Sequence, residues 1–206
     1  VFAEQDRMSP ALVASSLTQL DESTRQHLLT LPSNESFMAA VLKRSRVVLG
    51  QVGVPGDMPA GKKSANTPTA VVSVIDKRSP ESRAEGMKTF DWQKHWLLKY
   101  KNLLGNVPEI EKAASGNGLF SVGEEHDGVV RRVPLVYNVG KKVYPALSLE
   151  MLRVAFGART IATKLNDAGM VSVVLQGRNK FEVPTDKHGQ IWVHFSKPDI
   201  SESEAN

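Results

Sequence analysis

The densest group of titratable side chains in this chain lies at Glu124, Glu125, His126 and Asp127. Carboxylate and imidazole groups are ligands that divalent cations take, so these residues have the chemistry to hold a metal ion or a polar ligand. Four adjacent residues cannot all converge on one ion, however, and Asp127–Gly128 has the composition of a tight turn. In such a turn the Asp side chain bonds its own backbone and the Gly takes a positive φ. We therefore predict a turn here and no metal site.

Two adjacent arginines, Arg131 and Arg132, follow this turn. Neighbouring residues on a strand face opposite sides, so we expect one of them to point inward, where a guanidinium needs a carboxylate partner. Asp6, Asp127 and Glu150 are the candidate partners. An architectural role is favoured, since a buried pair sets geometry with little net gain in stability. The functional alternative is an anion or carboxylate site, whose candidate ligand-binding residues are Asp127, Arg131, Arg132 and Glu150.

The rest of the sequence offers little for catalysis. The chain has no cysteine, which excludes disulfides, thiolate metal sites and cysteine nucleophiles. No two of its histidines are three or four residues apart, and no serine lies in a G-x-S-x-G context. The glycine-containing stretch 116–118 follows a predicted helix and precedes a strand, the reverse of a phosphate-binding loop. We predict no catalytic residue and no cofactor, and keep as an alternative a hydrolase or transferase using Asp127, Arg131 or Arg132, and Glu150.

Composition and charge are those of one globular domain. The chain has 206 residues, of which 41% are hydrophobic and 23% charged, enough to bury a core. The formal net charge of +4 comes with paired basic residues but no basic stripe, so we predict no nucleic-acid partner. No run of about 18 apolar residues is present, and we expect no membrane-spanning segment. Because the chain opens on residues 1–3, Val-Phe-Ala, without a Met, we expect a fragment of a longer protein.

Alternating helix and strand patterns predict an α/β fold. Ser9 followed by Pro10 marks the entry of one helix, and the cap-forming residues 33–36 mark another. The apolar run 47–52 after that second helix predicts a strand buried on both faces, as in a parallel sheet. The C-terminal part adds three strand candidates separated by turns, at 171–175, 181–183 and 191–195.

Residues 118–156 carry the best-marked turn and helix signals. Two apolar strands on either side of Asp127–Gly128 predict an antiparallel hairpin, a second tight turn follows at Gly140–Lys141, and Pro145 is expected to open an apolar helix. We predict an α/β fold with a mixed, partly parallel sheet flanked by helices. The Asp127–Gly128 hairpin is expected to be its antiparallel part.

Residues 53–104 are expected to form a long polar insertion. The part up to residue 70 is rich in loop-forming residues, and 69–75 is β-branched enough for a strand. Residues 90–104 carry aromatic and apolar side chains at helical spacing. Two of these side chains, Trp92 and Trp96, are the predicted contacts of a subunit interface.

Several motifs occur in an order that resembles a sensory family. Two of them, DGVVRRVPL (127–135) and YPALSLE (144–150), are fairly specific because they occur together. The series resembles the second type of CHASE domain, a cyclase- and histidine-kinase-associated sensory extracellular domain, over most of the chain. The other resembling residues are VFAE (1–4), Asp6-Arg7, Ser9-Pro10, NESF (34–37), VVLG (47–50), Gly118, VPTD (183–186), Gly189 and Ile191.

The resemblance implies that 1–206 is a single extracytoplasmic sensor domain, the periplasmic part of a bacterial inner-membrane receptor. It implies transmembrane helices on both sides and a cytoplasmic output that is an adenylate or guanylate cyclase, or alternatively a histidine or Ser/Thr kinase. Its partner is an unidentified small-molecule or periplasmic signal, and no ligand residues carry over. Strands of the family pattern are nearly absent at both ends, and an incomplete sheet edge favours a homodimer. A purely structural dimerisation module is a further alternative.

Overall fold

The computed structural model describes residues 2–57, 71–77, 96–123, 127–140 and 142–195. The helices in these ranges are α1 (Pro10–Ser16), α2 (Glu22–Thr30), α3 (Asn34–Leu42), α4 (Pro108–Ala113) and α5 (Leu147–Ala155). The strands in the same ranges are β1 (Val48–Val54), β2 (Val71–Asp76), β3 (Leu98–Tyr100), β4 (Asn102–Leu104), β5 (Gly116–Leu119), β6 (Arg132–Pro134), β7 (Val136–Val139), β8 (Lys142–Pro145), β9 (Thr160–Asn166), β10 (Gly169–Gln176), β11 (Lys180–Pro184) and β12 (Gln190–Trp192).

The first four helices begin where local sequence signals place them. Pro10 and Pro108 stand at the first turns of α1 and α4, where a missing N–H costs nothing. Asp21 and Ser33 cap α2 and α3, since each side chain accepts a hydrogen bond from the backbone N–H three residues later. Caps of this kind are worth about 1 kcal/mol each, which is why they can be recognised in a sequence.

One sheet is built around β1. This strand runs parallel to β5, with Val48 opposite Gly116, and antiparallel to β4, with Val52 opposite Leu104. A parallel bridge from Leu119 to Ala146 joins the end of β5 to the residue after β8. The strand predicted at 47–52 is therefore present with a parallel neighbour, although its residues alternate between buried and half-buried.

The remaining strands pair in both senses. A four-stranded sheet has the order β11-β10-β9-β2, with β2 parallel to β9 and the other pairs antiparallel. Strand β7 lies between parallel β3 and antiparallel β8, and β6 pairs antiparallel with β12. Mixed sheets with flanking helices confirm the predicted α/β class.

The predicted hairpin at Asp127–Gly128 is wrong. A turn is present there, with Gly128 at a φ of +74°, but the strands on either side do not pair with each other. The edge of β5 is already taken by β1 and, at Leu119, by Ala146. The antiparallel pairs lie elsewhere, among them β7–β8, where Gly140 has a φ of +63° in the predicted second turn.

The predicted start of α5 at Pro145 is also wrong. Pro145 is the last residue of β8 and lies opposite Val136 on β7. The backbone N–H of Ala146 donates to the Leu135 oxygen at 2.8 Å, and the helix begins only at Leu147. Strand pairing therefore keeps Pro145 and Ala146 extended, and the helix begins two residues later than a helix-opening proline indicates.

Residues 98–104 form strands rather than the helix that their aromatic spacing predicts. Strand β3 pairs with β7, and β4 pairs with β1. Tyr100 packs beside Tyr137, with ring centroids 6.1 Å apart, and a Cβ on Gly53 would lie 2.3 Å from the Tyr100 ring. Helical spacing over a short apolar run cannot separate a helix from two short buried strands. The described strands of segment 53–104 are thus members of the sheets.

The apolar side chains form two clusters. The main cluster joins β5, β7, β8, α5, β9 and β10 and contains the fully buried Leu119, Val136, Ile161 and Val173. The second cluster lies between α3, β1 and α4, and its members are Ala39, Leu42, Leu49, Val107, Ile110 and Ala113. The two clusters meet along β1 and β5, where α5 also packs.

Candidate functional site

Asp127 and Arg131, two of the predicted site residues, form an ion pair at the surface. Arg131 Nη2 and Nη1 donate to Asp127 Oδ2 and Oδ1 at 2.6 Å and 3.0 Å. The Val129 N–H also donates to Asp127 Oδ1, at 3.1 Å, as turn chemistry predicts. Hydrogen bonds from Arg131 and then from Val129 lower the pKa of Asp127 from 3.8 to about 2. Both side chains remain roughly half exposed, at 41% for Arg131 and 52% for Asp127.

This ion pair makes a pH prediction. The folded pKa of Asp127 lies below 3.8, so its stabilising contribution is present above pH 3.8 and is lost as the pH falls towards 2. We expect Arg131→Gln to move the Asp127 pKa back up towards 3.8 in an NMR titration of the carboxyl carbon. Arg132→Gln is the control and should leave it low. An Asp127 pKa that stays near 2 in Arg131→Gln contradicts the assignment.

Arg132 faces a different set of groups. Its Nη1 lies 3.9 Å from Asp186 Oδ2, and its guanidinium carbon lies 5.1 Å above the Trp192 ring, a cation–π distance. Asp186 is held in turn by the N–H groups of His188 and Gln190, both at 2.9 Å. This arginine therefore joins β6 to the turn before β12, and its side chain is 40% exposed.

Glu150 lies in a closed internal ion pair. Its side chain is 0% exposed, and Arg153 Nη2 and Nε donate to its two oxygens at 2.7 Å each. Arg153 also donates to the backbone oxygens of Ala158 and Ser115, at 3.0 Å and 3.2 Å. The inward arginine is thus Arg153, on the same helix as Glu150, and the pair ties α5 to β5 and to the start of β9.

These positions bear on the alternative that the chain is an enzyme. That alternative needs Glu150 beside Asp127 and an arginine in an open cleft, whereas the Glu150 carboxylate is fully buried and bound by Arg153. Asp127 and Arg131 pair on the surface. The ligand-binding role of Asp127, Arg131, Arg132 and Glu150 stays a prediction that the arrangement does not favour.

The tryptophans are placed only in part. Trp92 lies outside the described residues, as do Glu124, Glu125 and His126. Trp96 is half-buried against the main cluster, and its backbone oxygen lies 3.0 Å from His188 Nδ1. Its interface role stays a prediction.

The Gly116-Asn117-Gly118 stretch has a packing role that the sequence did not reveal. It forms most of β5, directly under α5. A Cβ on Gly118 would lie 2.6 Å from Leu147 Cα, and a Cβ on Gly116 would lie 2.4 Å from Glu150 Oε1. Both glycines are therefore required for the close approach of the helix to the strand, and Gly116 leaves the space that the Glu150 carboxylate occupies.

A second polar network joins the N-terminal segment to α3. The buried Glu35 carboxylate accepts hydrogen bonds from the Asp6 N–H at 2.5 Å and from Ser9 Oγ at 3.0 Å. Asp6 in turn accepts from Met8 N–H and Asn34 Nδ2. The pKa values of Glu35 and Asp6 are lowered, chiefly by the Asp6 N–H and the Met8 N–H respectively. Asp6 serves this network, although the sequence offered it as an arginine partner.

A third polar cluster is enclosed between β1, α4, β5 and β8. Gln51, Glu111, Asn117 and Tyr144 are all buried there. Gln51 Nε2 donates to Glu111 Oε1, and burial followed by the charge of Glu111 raises the pKa of the Tyr144 hydroxyl. No group of three or more His, Asp or Glu side chains is placed to hold a metal ion among the described residues.

An open cavity of about 870 Å³ lies at the end of α5. Its walls include three arginines that are distant in sequence: Arg46 from the loop between α3 and β1, Arg159 before β9, and Arg178 after β10. Phe156 forms an apolar part of the wall. Sequence reasoning missed this site because none of the three arginines belongs to a motif, and only folding brings them together.

Comparison with known proteins gives a family match over nearly the whole chain. A family model described as the CHASE2 domain matches residues 1–205. No curated protein and no solved structure matches the chain significantly. Within the part of the chain that the structure describes, no helix has the length and apolar character needed to cross a bilayer.

Proposed function

The chain belongs to the CHASE2 domain family, and from this premise we propose that it is the periplasmic input domain of a bacterial inner-membrane receptor with a nucleotide cyclase as its output. CHASE2 domains are extracellular sensory domains of signalling receptors rather than catalytic domains. The observation that carries the proposal is the family match over residues 1–205. A class III adenylate or guanylate cyclase is the proposed output, with a histidine or Ser/Thr kinase as the alternative.

The internal arrangement supports an input role. Of the candidate site residues, Asp127 and Arg131 pair with each other and Glu150 pairs with Arg153. Glu150, Gln51 and Glu111 are enclosed by protein. An input domain needs two states that differ in affinity for a signal, and a scaffold whose helices pack closely on a sheet can transmit such a difference. Helix α5, which contacts both β1 and β5, is the element we propose to carry it.

The output is tested in the full-length receptor in membranes. We expect Gly118→Ala, which presses on α5, to change cyclic-nucleotide formation by roughly five-fold or more, because a bias of about 1 kcal/mol changes a two-state ratio by that factor. Gly56→Ala is the control, since a Cβ there meets nothing within 4 Å. Autophosphorylation without cyclic-nucleotide formation would instead identify a kinase. If Gly118→Ala is expressed normally and forms cyclic nucleotide at the wild-type rate, the proposed input role is rejected and the structural dimerisation module remains.

The proposed assembly is a homodimer with Trp96 in or near its interface. Trp96 is half-buried against the main cluster, and aromatic side chains of this kind are enriched at subunit interfaces. Sedimentation of the chain beside Trp96→Ala accompanies the output assay. A dimer that the substitution dissociates supports the assembly, and a monomer in both rejects it.

A further inference from the structure

We propose that the cavity at the end of α5 binds a small organic anion carrying at least two phosphate or carboxylate groups, and that this anion is a signal of the domain. The binding stands on the cavity alone, whereas its meaning as a signal rests on the proposed sensory function. The cavity volume of about 870 Å³ lies within the range of small-molecule sites.

The first argument is uncompensated charge. Three arginines line the cavity, and each is exposed to solvent: Arg46, Arg159 and Arg178. None of the described residues that line it is acidic, and no described carboxylate comes within ion-pair distance, 4.0 Å, of the three guanidinium groups. Other charged side chains in the chain, such as Arg131, Arg132 and Arg153, do have such a partner. Three like charges in one cavity attract an anion, because mutual repulsion is relieved when it binds.

The second argument is donor geometry. A guanidinium presents a planar fork of N–H donors that matches carboxylate and phosphate oxygens, and pairs of this kind are the strong ones. Gln176 adds a neutral donor: its Oε1 accepts from Thr160 Oγ1 at 3.3 Å, and its amide nitrogen is a donor by type. Both residues line the cavity. Its described walls are therefore rich in donors suited to oxyanions.

The helix dipole at the C-terminal end of α5 opposes anion binding, but its effect is weaker than that of the three arginines. Helix C-termini carry roughly half a negative charge, which disfavours anions. Here the last carbonyls are already occupied, since Leu152, Arg153 and Val154 oxygens accept from the N–H groups of residues 156–158. Dipole stabilisation would account for one arginine near this end. It does not account for three from separate parts of the chain.

The third argument concerns the apolar part of the ligand. A smaller cavity of about 340 Å³ adjoins the first and shares Phe156 and Arg178 with it. Phe156 and Phe181 meet edge to face there, with centroids 5.4 Å apart, yet remain 49% and 41% exposed. An aromatic pair half open to solvent beside arginines fits a ligand with an anionic head and an apolar body.

The location offers a route to signalling. Arg46 follows α3, which belongs to the second apolar cluster, whereas Arg159 and Arg178 flank strands of the main cluster. An anion held by all three would tie the two clusters together at the end of α5. Its binding energy would therefore favour the state in which these parts lie closest.

The binding test is isothermal titration calorimetry on the chain at constant ionic strength, with phenyl phosphate, inorganic pyrophosphate and citrate as probes. We expect saturable binding by the wild type and an affinity roughly 100-fold lower or more in R159Q/R178Q, since each of the two lost charge-assisted hydrogen bonds costs about ten-fold or more. R44Q removes an arginine from the same loop as Arg46 but outside the cavity lining, and should bind as the wild type does. Thermal unfolding without probe checks that all variants are folded.

A second experiment with lipid vesicles distinguishes a soluble anion from a lipid headgroup as the source of the phosphate. Vesicles of phosphatidylglycerol are compared with phosphatidylcholine vesicles, and arginine-dependent binding to the former without binding of soluble probes assigns the site to a lipid headgroup. The proposal is overturned if no probe or vesicle binds, or if R159Q/R178Q binds them as well as R44Q does. Arginine-dependent binding that leaves receptor output unchanged would retain the anion site and remove its role as a signal. If the receptor output responds to Gly118→Ala but no anion binds, the proposed sensory function is retained and the anion site is rejected.

Discussion

Replacing Arg153 with methionine is expected to destabilise the chain by about 3–5 kcal/mol, the cost of leaving a buried charge without its partner. The Glu150 carboxylate is 0% exposed, and both of its oxygens are bound by Arg153 at 2.7 Å. The substitution also removes the donors to the Ser115 and Ala158 oxygens. Urea unfolding followed by circular dichroism measures the loss as a lower midpoint at similar slope.

Two controls separate the buried pair from arginine loss in general. Arg131→Met breaks a surface pair four residues apart on the chain and should lower the unfolding midpoint far less than Arg153→Met does, because solvent screens an exposed pair. Glu150→Met/Arg153→Met removes both charges and should be more stable than Arg153→Met alone, because no unpaired charge remains. Equal losses for Arg131→Met and Arg153→Met would show that the internal pair stabilises the chain no more than a surface pair does.

Gly118→Ala is expected to cost about 1–3 kcal/mol or somewhat more, the range for overpacking a well-filled interior. The new Cβ would lie 2.6 Å from Leu147 Cα, 2.8 Å from Leu147 N and 2.9 Å from the Ala146 oxygen. All three are backbone atoms, so no side-chain rotation relieves the contact. Either α5 moves away from β5 or the parallel pairing of β5 with β1 is strained.

The matched control is Gly56→Ala, at a position where a Cβ meets nothing within 4 Å. An exposed substitution of this kind should stay within about 0.5 kcal/mol of the wild type. Denaturation of the two variants under identical conditions gives the comparison. If both unfold at the same midpoint, the close approach of α5 to β5 is not a constraint on this residue.

Local features of the fold were readable from the sequence because they depend on neighbouring residues. The helix starts at Pro10 and Pro108 follow from proline geometry. The turn at Gly140 follows from the ease with which glycine adopts a positive φ, the conformation that it has there. The turn at Asp127 was read correctly for the same reason, down to the bond from the Val129 N–H. The family itself was recognisable, since its strings are contiguous in the chain.

Strand partners were not readable in this way. Pairing depends on which strand edges are occupied by other strands. In the fold, β5 pairs with β1 and, at Leu119, with Ala146, so residues 129–139 do not pair with it. Strand β9 escaped prediction altogether because Thr160–Asn166 mixes polar and small residues, yet it lies between β2 and β10 with Ile161 and Ala162 fully buried. Its burial comes from neighbours on both sides, not from its own composition.

The sequence by itself determined the family, the α/β class, and most helix starts and tight turns, because each is set by short-range backbone chemistry or by contiguous motifs. Only the tertiary structure decided which arginine is internal, why Gly116 and Gly118 are glycines, and which charges share a cavity. Glu150 pairs with Arg153 because α5 packs closely on β5, and Arg46, Arg159 and Arg178 meet because separate strands end at the same place. Such juxtapositions arise from packing between elements far apart in the chain, which a local pattern does not encode.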